Sequence, residues 1–325
     1  MRLPAIAHAF ATCQKGAEKA LKDEALRLRP DWRSAFARPG LVTWTSPEPL
    51  RPDVELPLVF ARLFGASLGA IDPREHGLPA PPRLHVFARD PDGGADPGKL
   101  RDELLTSGRF LPDPTPQRGD WVLDVIVAPG EPHFVGLHRH GTGRSPFPGA
   151  LPALSLPPDA PSRAWLKLEE ALAWSHLPVR AGHTAVEIGS APGGAAWALL
   201  RRGLRVVGVD TGKMDPRVVA DPGFSHVAKT LGEVRREELP TRVHWLLLDV
   251  NLAPQVALHQ VRRLVATLRA TLRGVIFTLK LNDWKMAAEV PALLDRVQGM
   301  ALTDVRATQL PSNRREICVA ARVRH

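Results

Sequence analysis

Four charged residues stand in marked local contexts: Lys167, Asp249, Lys280 and Glu316. Lys167 lies in SRAWLKLEEA, a segment with helical spacing. Asp249 follows the apolar run Trp245-Leu246-Leu247-Leu248. Lys280 closes VIFTL, a core-type strand that most chains would end on a turn residue. Glu316 opens the last apolar segment after the polar turn Ser312-Asn313-Arg314-Arg315. Two lysines and two acids converging at one edge could draw a proton from a hydroxyl. A lysine does this as a base only if its pKa is lowered, by burial or by a second cation. The acids would orient the ammonium groups and keep the cluster near neutral. Spacing alone allows a second reading, two unrelated surface ion pairs.

The elements that must position these residues alternate. Thr184–Ile188 reads as a strand, Gly194–Arg202 as a helix, Arg205–Val209 as a strand ending on Asp210, and Val243–Leu248 as a strand ending on Asp249. A long helix follows over Pro254–Leu272, then the strand Gly274–Leu279, a helix over Lys285–Gln298, and strands near Ala301–Thr308 and Glu316–Val323. Strands alternating with helices predict a doubly wound, mainly parallel α/β sheet. Ligands bind such sheets beyond the carboxyl ends of the strands, which is where Asp210, Asp249 and Lys280 fall. The turn Gly189-Ser190-Ala191-Pro192-Gly193-Gly194 joins the first strand of this half to its helix. Its glycines admit a close backbone approach, and the helix behind it offers free N–H groups. It is not G-x-G-x-x-G, so it does not point to a dinucleotide. An acid at Asp210, about twenty residues on, is placed to accept the hydroxyls of a ribose; a helix cap is the plain alternative.

The first half reads differently. Proline- and glycine-rich loops separate a helix over Glu18–Leu28, with Ala17, Leu21, Ala25 and Leu28 on one face, from strands at Leu41–Thr45, Leu84–Ala88 and Trp121–Val127 and a helix over Lys99–Leu105. This is an α+β pattern. The stretch MRLPAIAHAFATCQKG reads as a first strand and not as a signal peptide. SPFPGALPALSLPPDAPSR, residues 145–163, has too many prolines for a helix or a central strand. The domains expected are therefore residues 1–144, a linker over 145–163, and 164–325.

The chain has 325 residues, of which 44% are hydrophobic and 24% charged, and a net charge of +9. Its first 160 residues carry as many acidic as basic side chains, so the whole excess lies in the remainder. A basic half beside a neutral one suggests a polyanionic partner. No apolar run is long enough to cross a membrane. Cys13 and Cys318 form no metal or disulfide pattern, which fits a reduced, cytoplasmic protein. His138 and His140, in GLHRHGTGR, lack a second pair of ligands and read as a polar loop that could touch RNA, not as a metal site. Asp215 and Asp221 read as solvated loop residues, Cys318 as core, and Trp165, Trp174, Trp197 and Trp245 as packing residues.

The segments SRAWLKLEEA, VEIGSAPGGAAWALL, VVGVDTGKM, LLLDVNLAP, FTLKLNDW and SNRREICV, in that order, resemble the FtsJ-like (RrmJ-like) ribose 2′-O-methyltransferases. They are most similar to the branch that methylates a cytidine ribose in bacterial 23S rRNA. CQKGAEKALKDEA with RPGLVTW resembles the N-terminal region of that branch, which includes an RNA-binding THUMP domain. The resemblance is strong from Ser145 to Ala257 and from Val275 to Val319, and patchy between Leu50 and Val135. It implies a Rossmann-like methyltransferase domain preceded by an α+β, THUMP-like region. It implies S-adenosyl-L-methionine as cofactor and Lys167, Asp249, Lys280 and Glu316 as a catalytic tetrad, with Lys280 the proton acceptor. Ser162 and the turn Ala191-Pro192-Gly193-Gly194 match cofactor contacts, Asp210 the ribose-binding acid, and Asp249 a group near the cofactor's methionine end. The family's adenine-contacting aspartate is replaced by Thr230, and the aromatic residue that often follows the two glycines by Ala195. RNA would enter over arginines such as Arg144, Arg163, Arg314 and Arg315. The expected partner is 23S rRNA before or during subunit assembly, met by a monomer without metal or membrane. The alternatives are a family member that binds RNA without catalysis and an enzyme acting on tRNA or another RNA.

Overall fold

Short apolar runs punctuated by proline and glycine cannot support long helices, and they build a β-rich first unit. In the computed structural model, which describes residues 6–51, 53–141 and 143–324, this unit extends to Ala153 and a second begins at Leu154. The first contains β1 (His8–Cys13), α1 (Glu18–Leu28), β2 (Arg33–Arg38), β3 (Leu41–Thr45), β4 (Ala61–Gly69), β5 (Arg83–Ala88), α2 (Pro97–Thr106), β6 (Trp121–Val127) and β7 (Phe134–Arg139). Its strands form one sheet in the order β2-β3-β1-β4-β7-β6-β5, antiparallel except where β5 runs parallel to β6. The first five residues of the N-terminal stretch lie outside the described residues; the strand begins at His8. Ala17, Leu21 and Ala25 are buried as their spacing predicts, whereas Leu28, at the end of α1, is exposed.

The polar-loop reading of His138 is wrong. This residue lies in β7 and is fully buried, because Val135 and Leu137 carry the strand into the core and a carboxylate waits on β6. His138 Nδ1 lies 2.6 Å from Asp124 Oδ2. On the other side of Asp124, His85 Nδ1 stands 3.7 Å from Oδ1, and His85 Nε2 donates to the Pro114 carbonyl at 3.0 Å. Burial, with Asp124 opposing it, holds the His85 pKa below the ordinary range. Strands β4 and β7 escaped the sequence reading because their glycines and small residues (ARLFGASLG, FVGLHR) dilute the alternation.

Leucine- and valine-rich strands buried on both faces make the second unit. It runs α3 (Ala164–Ser175), β8 (Thr184–Ile188), α4 (Gly194–Arg201), β9 (Arg205–Val209), α5 (Pro216–Val219), β10 (Phe224–Val227), β11 (Trp245–Leu248), α6 (Pro254–Leu268), β12 (Gly274–Lys280), α7 (Val290–Gln298), β13 (Thr303–Thr308) and β14 (Glu316–Arg322). The sheet order is β10-β9-β8-β11-β12-β14-β13, parallel except for β14, which runs antiparallel to both neighbours. The helix expected over Lys285–Gln298 is split: a 3₁₀ turn covers Trp284–Glu289, and α7 starts where Pro291, lacking an N–H, fits a first turn. Asp215 is not simply solvated; it caps α5, accepting from the Arg217 N–H at 2.9 Å and pairing with the Arg217 guanidinium. Cys318 and Trp245 are core residues, and Trp165, Trp174 and Trp197 pack partly buried against that core.

Replacing Asp124 with alanine strands the buried His138 ring without its partner. The expected loss is about 1–3 kcal/mol of stability, read from denaturant unfolding of the full chain.

Candidate active site

The strand order reverses between β8 and β11, so the segments that leave their carboxyl ends turn to opposite sides of the sheet and leave a crevice between them, the usual ligand position in such a sheet. The residues that follow β8 are shaped by close approaches. Gly189 adopts φ +83°, and a Cβ there would run into the carbonyl of Asp249. A Cβ on Gly194 would run into Ser162, which brings the end of the proline-rich segment against the first turn of α4. Asp210 follows β9 and folds back on the turn: its Oδ2 accepts from the Ala191 N–H at 2.9 Å and its Oδ1 from the Gly212 N–H at 2.7 Å. Ser162, Ala191, Gly194 and Asp210 are therefore drawn to one crevice. Asp210 keeps lone pairs on both oxygens for further donors.

Beneath this turn sits a residue that the sequence reading passed over. Glu187, within β8, is buried, and its Oε2 takes a hydrogen bond from Ser190 Oγ at 2.9 Å. Burial, aided by the nearby Asp249 and Asp210 and opposed by hydrogen bonds from Ser190 and the Ala196 N–H, pushes its pKa up to about 8. The signal for it was an acid inside an otherwise apolar strand, TAVEI.

Lys167, Asp249, Lys280 and Glu316 meet as a closed, alternating ring. Lys167 Nζ lies 3.1 Å from Asp249 Oδ2 and 2.7 Å from Glu316 Oε1. Lys280 Nζ lies 2.6 Å from Asp249 Oδ1 and 2.6 Å from Glu316 Oε2. Each side chain comes from a different element: Lys167 from α3, Asp249 from the end of β11, Lys280 from the last position of β12, and Glu316 from the first of β14. The β12/β14 register sets Lys280 directly opposite Glu316. Asn313 completes the set; it is buried, takes the Leu310 N–H on its Oδ1 at 2.9 Å, and turns its Nδ2 to Glu316 Oε1 at 3.3 Å. An amide three residues before the acid was visible in SNRRE, but its direction was not.

Three expectations need correction. Burial disfavours charge on Lys280, but Asp249 and Glu316 outweigh it and hold the lysine above its ordinary pKa, so the resting group is a firm cation and not a neutral base. Glu316 is likewise penalised by burial, yet Lys167 and Lys280 bring it below the usual carboxylate range. Thr230 is exposed and points its hydroxyl at its own turn, donating to Glu233 Oε2 at 2.8 Å. Arg144 is not a surface residue: its guanidinium is buried in the first unit, where it donates to the carbonyls of Phe64 and Val54. Arg163, Arg314 and Arg315 are exposed. Among the described residues no group of three or more His, Cys, Asp or Glu side chains could hold a metal, and no helix is long and apolar enough to cross a membrane.

A glycine turn at the reversal of a Rossmann-like sheet, with an acid after the second strand and an ion ring beside it, suits an adenosine-bearing cofactor and a reacting hydroxyl. The family model described as FtsJ-like methyltransferase matches residues 160–290. The second unit is thus a Rossmann-like methyltransferase core that uses S-adenosylmethionine. Ribosomal RNA large subunit methyltransferase M of Halorhodospira halophila is 31% identical over 347 residues, an alignment covering 95% of this chain and 95% of that protein. The protein of the same name from Alkalilimnicola ehrlichii is 38% identical over 210 residues, which cover 61% of this chain and 56% of its own length. That from Xylella fastidiosa is 33% identical over 68% of this chain and 63% of its own. The chain belongs to the family of ribosomal RNA large subunit methyltransferase M. A solved structure, TrmN from Thermus thermophilus, aligns over 97% of this chain and 99% of its own at 15% identity and a TM-score of 0.37, a likeness too low to add anything.

Glu187 gives the second unit a pH signature. Its pKa is raised on folding from 4.5 to about 8, so the folded state holds the proton more tightly. The stability it contributes is full below about pH 4.5 and is lost as the pH rises through about 8. Melting temperatures across that window should fall less for Glu187→Gln than for the native chain; parallel curves would refute the assignment.

Proposed function

We propose that this chain transfers a methyl group from S-adenosylmethionine to a ribose 2′-hydroxyl of RNA, on a cytidine of large-subunit 23S rRNA, as a cytoplasmic monomer. The alternating ring of Lys167, Asp249, Lys280 and Glu316 carries this reading. Bound in the crevice, the cofactor supplies a methyl group already activated by its sulfonium. The chain must then provide geometry and a better nucleophile than a neutral alcohol. Each ammonium group has three N–H donors, and the ring uses two of them. One donor on Lys167 and one on Lys280 remain to grip the 2′-oxygen. With Lys280 held as a cation, its contribution is to stabilise negative charge developing on that oxygen as the O–H bond weakens. The proton released from the hydroxyl passes to water. Glu316 and Asp249 keep the two ammonium groups apart and aimed, and Asn313 steadies Glu316.

For the cofactor, Asp210 would accept the ribose hydroxyls, the Ala191–Gly194 turn with Ser162 would hold the methionine end, and the N–H groups of the first turn of α4 would face its carboxylate. Thr230, its hydroxyl committed to Glu233, is a weak substitute for an adenine-contacting acid. The β-rich first unit would be the RNA-binding, THUMP-like module, and Arg163, Arg314 and Arg315 would receive phosphate groups beside the crevice.

Lys280→Ala should lower the rate of methyl transfer by about 10²–10³, as loss of one charge-stabilising donor does elsewhere. Affinity for S-adenosylhomocysteine, measured by titration calorimetry, should stay within about threefold. A variant with near-native turnover would refute the assignment. Mapping 2′-O-methyl positions in rRNA and tRNA with and without the gene tests the substrate; an unchanged 23S pattern would remove it.

A further inference from the structure

The edge of the second sheet opposite the crevice carries its own concentration of charge. Four arginines stand at the amino ends of the parallel strands: Arg180 in the loop before β8, Arg205 at the first position of β9, Arg242 before β11 and Arg273 before β12. All four are exposed. The register places them along one edge, since Thr184 pairs with Arg205 while Trp245 pairs with both Ala185 and Gly274. Among the described residues no carboxylate forms an ion pair with any of them. The acid nearest in sequence to any of them, Glu238, lies four residues before Arg242 and pairs with Lys229. Elsewhere on the surface arginines are commonly matched, as Arg29 is by Asp31 and Arg217 by Asp215.

Between these arginines lie two stacked histidines. The rings of His183 and His244 are 4.8 Å apart at 20°. His183 Nδ1 accepts from the Trp245 indole N–H at 3.0 Å and from the Arg180 N–H at 3.2 Å, and His244 Nδ1 accepts from the Thr184 N–H at 2.9 Å. Those donors fix both tautomers with the hydrogen on Nε2, where it is free for an outside acceptor. The charged groups around the two rings are Arg273 and Arg180 for His183, and Arg273 and Arg242 for His244; no acid is among them. Burial and these cations hold both histidine pKa values below the ordinary range.

A row of unmatched cations with neutral N–H donors between them is unfavourable in isolation and complementary to a string of phosphates. We infer that Arg180, Arg205, Arg242 and Arg273, with His183 and His244, form a second RNA-backbone contact on the edge of the methyltransferase sheet remote from the reacting ribose. The inference rests on RNA being the substrate. It extends that reading, because the phosphates gripped here are distant from the modified nucleotide and would supply binding energy without sequence information.

The test uses the full chain with Arg180, Arg242 and Arg273 changed together to glutamate, and unmodified 23S rRNA transcript as the probe. Dissociation constants are measured by filter binding over a range of salt. The variant should bind about tenfold or more weakly near physiological salt, and its log–log salt slope should shrink by about 2–3, one phosphate contact per lost arginine. Its affinity for S-adenosylhomocysteine should match that of the native chain. Glutamine at the same three positions, with melting curves as a fold control, should give a smaller loss in the same direction. Unchanged RNA affinity and slope would overturn the inference. So would loss of binding to phosphatidylglycerol vesicles with RNA binding intact, which would assign the edge to a membrane surface. A native chain that binds the transcript with this salt dependence but methylates nothing would sink the proposed reaction and leave the surface standing.

Discussion

Two lysines and two carboxylates can share one crevice only if unlike charges alternate. Set side by side, two like charges would repel; here each ammonium group faces two carboxylates instead. Partial burial strengthens every one of these attractions and penalises any missing partner. The second unit is organised around meeting that condition. Its sheet order puts Asp249 at the reversal point, the antiparallel β14 returns Glu316 to the tip of β12, and α3 brings Lys167 across.

The same condition alters the chemistry expected of Lys280. An isolated buried lysine loses its proton readily and can act as a base. Inside the ring the balance reverses: two acids at 2.6 Å outweigh the cost of burial. The lysine then serves the reaction as a positioned cation, and the proton that leaves the hydroxyl needs a route and not a waiting base. Glu187, two strands from β12 in the sheet, shows the opposite balance, since it is buried with hydrogen bonds from Ser190 and Ala196 but no cation against it, and it holds its proton.

Much of the second unit could be read along the chain. Apolar runs bounded by glycine and proline marked β8, β9 and β12 to within a residue, and the turn residues marked where the crevice would open. The first unit was less legible. Glycine-bearing β4 and β7 lack the alternation that betrays a half-buried strand, and a histidine such as His138 looks polar until a carboxylate on the neighbouring strand takes its hydrogen bond. Arg144 failed for a related reason: a guanidinium reads as surface in any local window, yet carbonyls from residues 54 and 64 satisfy it in the interior.

By itself the sequence determined the kinds of residue available and the strand ends on which they fall. Local physics suffices for that, because a strand's end is set by its own apolar run and a turn by its own glycines. Only the tertiary structure decided which charges became partners. Lys167, Asp249, Lys280 and Glu316 are scattered over about half the chain, and their meeting depends on strand order and register, which arise from packing between distant segments. The same holds for the arginines at the far edge of the sheet: each looks like an ordinary solvated charge along the chain, and they become one surface only when parallel strands bring their starting points into line.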